Sequence, residues 1–111
     1  QNKKNYDRVL ESLCAFYQKC RDGEISCSEA KLHYIESGIA RVAAGKIKIL
    51  LSLPADKRMR SELVQFERKM LKKYPGIYHA NRNKAVKLLR ASRYRLYWLG
   101  VWALQKSSRA F

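Results

Sequence analysis

Apolar side chains recur every three or four residues through four successive stretches of this chain, and the first three stretches each stop at a glycine or proline. That spacing is the period of an α-helix, and it excludes the two-residue alternation of a half-buried strand. Tyr6, Val9, Leu10, Leu13, Phe16, Tyr17 and Cys20 form the first stripe, which predicts a helix from about Lys4 to Arg21. Asp22-Gly23 ends it, because glycine readily adopts the left-handed conformation that closes many helices. Ser26 and Glu29 have the spacing of a capping box, with Ser28 as a competing cap. Leu32, Ile35, Ile39, Val42, Ala43, Ile47 and Leu50 then carry a second helix to about Leu53, where Pro54 ends or redirects it. Met59, Leu63, Phe66, Met70 and Tyr74 mark a third helix, from about Ala55 to Lys73, ahead of the Pro75-Gly76 break. After a loop from Ile77 to Arg82, Asn81 or Asn83 caps a fourth helix running to about Lys106. The expected fold is all-α, a small bundle of about four amphipathic helices, with residues 1–111 as one domain.

Charge is the second constraint. The 111 residues carry a formal net charge of +15, while small soluble domains usually carry roughly 2 to 8. Up to Leu53 nine basic residues meet six acidic ones; from Pro54 onward fifteen meet only Asp56, Glu62 and Glu67. An anionic partner for the C-terminal half is the expectation, whether nucleic acid, a membrane surface or an acidic protein.

Residue types that perform chemistry are sparse. Cys14, Cys20 and Cys27 include no C-x-x-C pair, and with His33 they lack the close pairing of structural zinc ligands. Their odd number describes no disulfide framework and fits a reducing compartment. His33 and His79 sit in no nucleophile, phosphate-loop or metalloprotease motif, and no Asp-x-Asp occurs. The expectation is a binding or attachment role, with no catalytic residue, metal or cofactor in this chain. No signal peptide or spanning segment is legible, and a start at Gln1 suggests a C-terminal fragment of a longer protein.

The final helix holds the candidate binding residues. Lys84, Lys87, Arg90 and Arg93 repeat at three-residue steps, which drift about 60° around a helix each time; with Arg95 they suit diffuse attraction to phosphates better than readout of a groove. Tyr94, Trp98 and Trp102 step by four beside Tyr97, within or just before the nine-residue apolar block Leu96 to Leu104. That block is too short for a span of about 20 residues, yet apolar around the whole helix. Part of it is expected to close the core and part to meet an interface, where Trp and Tyr keep an apolar ring buried and a polar tip wet.

This order of features, MLKKYP, then GIYHAN, then KAVKLLRASRYRLYWLGVWAL, resembles the C-terminal helical region of bacterial family-two glycosyltransferases that build surface polysaccharides. The resemblance extends from about Tyr6 to Lys106. It implies a noncatalytic tail that holds a nucleotide-sugar-dependent catalytic domain at the cytoplasmic face of the inner membrane and supports self-association. The catalytic domain of the parent chain and the anionic membrane surface are then the expected partners. None of that family's Asp-x-Asp motif, catalytic carboxylate or nucleotide-binding strands has a match here, so no catalytic residue carries over. A basic helical nucleic-acid-binding module is the alternative, because phosphates of either origin attract the same side chains.

Overall fold

The computed structural model describes residues 2–52 and 56–98. Its elements are α1 (Asn2–Arg21), α2 (Glu29–Ser52), α3 (Lys57–Lys73), α4 (Pro75–His79) and α5 (Lys84–Ala91). There is no strand among the described residues, and the fold is an all-α bundle.

α1 closes as its sequence suggests. Gly23 takes φ 84°, Glu24 N donates to Lys19 O at 3.0 Å and Gly23 N to Cys20 O at 3.4 Å, which is the paired bonding of a Schellman end. The chain returns through Ser28, whose hydroxyl accepts from Lys31 N at 3.2 Å; Ser28 rather than Ser26 caps α2. Tyr6 lies against Gly45, Asp7 pairs with Lys46 and Tyr17 with Glu36, so partners descend on α2 as they ascend on α1. The two helices are therefore an antiparallel hairpin.

α3 begins at Asp56, whose carboxylate accepts from Met59 N at 2.8 Å. Leu63 enters one core cluster with Ile47, Leu50, Leu51, Val86, Leu89 and Tyr97. Met70 enters a second with Leu10, Tyr17, Ile39, Ala43 and Ile77. Phe66 packs against both and joins them into one interior.

Two sequence expectations change here. Pro75-Gly76 does not open an extended loop: Pro75 starts α4, since proline's fixed φ suits a first helical turn. The turn seats on the buried Tyr17–Glu36 pair, where the Tyr17 hydroxyl donates to the Glu36 carboxylate. A Cβ on Gly76 would collide with that carboxylate and stand 2.8 Å from the Tyr17 oxygen. The fourth long helix is also cut short. α5 ends at Ala91, the chain turns through residues 92–96, and helical geometry resumes at Tyr97 and Trp98. Pro54, Trp102 and the expected end at Lys106 lie outside the described residues.

Candidate anionic-surface site

Asn83 caps α5, its side-chain oxygen accepting from Val86 N at 3.1 Å. Asn81 is buried and supports that cap: its Nδ2 donates to Asn83 O at 3.2 Å and its Oδ1 accepts from Asn83 N at 3.4 Å. From this start Val86 and Leu89 face the core, which leaves Lys84, Lys87 and Leu88 outside. Leu88, next to Lys87, is 59% exposed, an apolar side chain with little cover among the described residues.

Arg90 departs from the expected surface ladder. Its Nε donates to Glu67 Oε1 at 2.6 Å and a second guanidinium nitrogen to Glu67 Oε2 at 2.9 Å, a bidentate pair around a carboxylate only 2% exposed. The third nitrogen donates to Tyr78 O at 2.9 Å, and the guanidinium stacks 3.7 Å from the Tyr78 ring centre. Arg90 is thus a clamp joining α3, α4 and α5, and is spent internally. Burial opposes its charge, but the Glu67 partnership outweighs it and the guanidinium's pKa is raised.

The turn after α5 follows from the same cluster. Tyr94 N donates to Leu89 O at 2.7 Å and Arg93 N to Arg90 O at 3.0 Å, again a Schellman pattern. Here its left-handed positions are Arg93 (φ 56°) and Tyr94 (φ 65°), with no glycine. The Tyr94 hydroxyl donates to Glu67 Oε1 at 3.3 Å, and Arg60 Nε donates to Tyr94 O at 3.3 Å, which hold the turn from outside the helix. Burial, then the Glu67 charge, pushes the Tyr94 phenol up.

Past the turn, Tyr97 is fully buried, which corrects its assignment to an interface. Its ring completes the cluster around Leu50 and Leu63, and its hydroxyl has no hydrogen-bond partner among the described residues. Trp98 turns the other way. It is 47% exposed and rests edge-on against Tyr97, with ring centres 5.0 Å apart. Lys57 and Arg60, delivered by the Asp56 cap of α3, line one surface depression with Arg95 and Trp98.

Of the nine predicted residues, then, Lys84, Lys87, Arg93, Arg95 and Trp98 stay exposed; Tyr94 is half-buried, Arg90 and Tyr97 belong to the interior, and Trp102 lies outside the described residues. Lys57 and Arg60 join the site without having been singled out from the sequence. Their signal was proximity in space to the far end of α5, which helical spacing does not encode.

The cysteines and histidines sit apart from this surface depression. Burial pushes the Cys14 thiol up, and burial with the adjacent Cys27 thiol does the same for Cys20, the opposite of activation for nucleophilic attack. His33 is exposed and bonds Glu36 Oε1 at 3.0 Å; His79 is exposed against Tyr78. No group of metal-ligating side chains occurs among the described residues, and none of the helices searched there is long and apolar enough to cross a membrane. No family model, curated protein or solved structure matches this chain.

Proposed function

We propose that this chain is a noncatalytic helical module that attaches a larger enzyme, a bacterial family-two glycosyltransferase, to the anionic inner face of a membrane. The observation that carries attachment is Trp98, a half-exposed indole with Lys57, Arg60 and Arg95 around it. Cations draw the patch to phosphate headgroups, and an indole at that depth settles among them. Exposed Lys84, Lys87 and Leu88 on α5, and Arg93 in the turn after it, add the same chemistry. The identity of the parent enzyme rests on the resemblance from about Tyr6 to Lys106, and an Asp-x-Asp after a strand in the upstream reading frame is its expected companion.

Attachment is tested by flotation with phosphatidylcholine vesicles, with and without phosphatidylglycerol. Using Trp102→Phe, so that Trp98 is the only tryptophan, the expected result is co-flotation with the anionic vesicles alone and a blue shift of indole emission. Replacing Lys57 and Arg95 together by Gln is expected to weaken partitioning about thirtyfold, at about 1 kcal/mol per basic residue near such a surface. Complete recovery below the vesicles at low salt would sink the reading. Salt-sensitive retention on duplex DNA with unshifted emission would favour nucleic acid instead.

A further inference from the structure

A second cationic site lies on α2, apart from the residues that line the Trp98 depression. Ser37, Arg41, Gly45 and Lys48 follow at three- and four-residue steps and so share one helix face. Ala40 and Ala44 beside them are buried and too short to fill the space above, leaving a groove of about 680 Å³. Tyr6 of α1 walls one side, its ring over Gly45, and the Ala80–Asn83 connection between α4 and α5 walls the other. Tyr34 stands at the end of the stripe, 75% exposed.

The charges in this groove are of one sign. Arg41, Lys48 and Arg82 line it, all three are exposed, and among the described residues no carboxylate does. The side chain of none of the three makes a hydrogen bond or ion pair to another described residue. Lys46 on the same helix behaves otherwise: it is paired with Asp7 at 2.5 Å and lies 4.3 Å from the centre of the Phe66 ring. The fold thus supplies a counter-ion to one α2 cation and leaves two others, with Arg82, around an open cavity.

We propose that this groove binds the phosphoryl group of a phosphorylated small molecule or lipid headgroup. Arg41 and Arg82 offer planar guanidinium forks that match phosphoryl oxygens, and Lys48 adds a point charge. Tyr6 and Tyr34 flank the organic part of the ligand, and the volume lies within the roughly 300–1,000 Å³ of small-molecule sites. The site is independent of vesicle attachment through Trp98, which its own emission reports, so either reading can fail alone.

The test is titration of the whole chain with inorganic pyrophosphate, followed by amide NMR shifts, at constant ionic strength. Saturable shifts at Ser37, Arg41 and Asn83 are expected. Arg41→Gln and Arg82→Gln, both exposed and so tolerated by the fold, are each expected to weaken binding about tenfold. Lys72→Gln, an equal loss of charge on α3 outside the groove, is expected to change it less than about twofold. A parallel titration with phosphatidylcholine vesicles bearing phosphatidic acid identifies the source: the same dependence on Arg41 and Arg82 there assigns a headgroup, and response to pyrophosphate alone assigns a soluble phosphoester. Equal weakening by all three substitutions, or shifts that never saturate, would overturn the proposal in favour of diffuse charge.

Discussion

Glu67 and Arg90 are 23 residues apart, and their pairing decides what each can do. Glu67 falls on the apolar stripe of α3, between Leu63 and Met70, so its carboxylate is carried into the interior by helical spacing alone. An ion taken from water at that depth costs several kcal/mol unless a counter-charge and hydrogen bonds meet it. Arg90 supplies both, and the Tyr94 hydroxyl supplies another bond. Arg90→Ala is therefore expected to cost about 3 kcal/mol or more in urea unfolding, because it strands a buried charge. Replacing both partners by Met is expected to recover most of that loss, since two apolar side chains leave nothing to neutralise. An acid on an apolar stripe was legible in the sequence. Its partner was not, because Arg90 stood among other cations at a spacing that described a surface.

At the scale of elements, the end of α5 is the least regular feature. A left-handed conformation costs a non-glycine residue roughly 1–2 kcal/mol, and the turn places two such residues in succession. Arg93 is exposed, and glycine would keep its backbone bond to Arg90 O. Arg93→Gly is expected to leave stability unchanged or raise it by up to about 1 kcal/mol, after glycine's greater freedom in the unfolded chain is counted. Arg93→Val is expected to lower it by more than about 1 kcal/mol, with thermal unfolding by circular dichroism as the measure. The three longer helices were readable because periodicity and explicit stop signals agreed: α1 ends at Arg21 and α3 at Lys73, where their stripes do. RASRYRLYW contains neither glycine nor proline, so nothing local announces the break after Ala91. Tertiary contacts from Arg60 and Glu67 impose it, and they divide Tyr97 from Trp98, one into the core and one into the candidate site. α4 was missed for the opposite reason: a strong local signal, Pro75-Gly76, ends one helix and begins another.

For the whole molecule, several phenols are sheltered at once. Burial first, and neighbouring negative charge second, raises Tyr94 and Tyr97; burial and the Glu36 hydrogen bond raise Tyr17; Tyr74 is raised mainly by burial. An acid whose folded pKa exceeds its unfolded value holds its proton in the folded chain after the unfolded chain has released it. Between those values the native state binds more protons, so stability is present below about pH 10 and falls as pH rises through the folded values. Loss of helicity above about pH 10 is expected to coincide with the rise of tyrosinate absorbance. Helix loss completed well below that range, with the phenols still protonated, would contradict it. The basic surface works in the other direction at neutral pH, since a net charge of +15 favours any anionic contact that relieves its own repulsion.

The seat of α4 on α2 ties together two positions forty residues apart in the chain. Because a Cβ at position 76 would meet the Glu36 carboxylate and the Tyr17 hydroxyl, any side chain there is restricted to the room that this pair can yield. A change at 36 to a smaller side chain would lift that restriction and leave Tyr17 without its acceptor. Tyr17, Glu36 and Gly76, on α1, α2 and α4, thus meet at one point, and a substitution at any of them is felt by the other two.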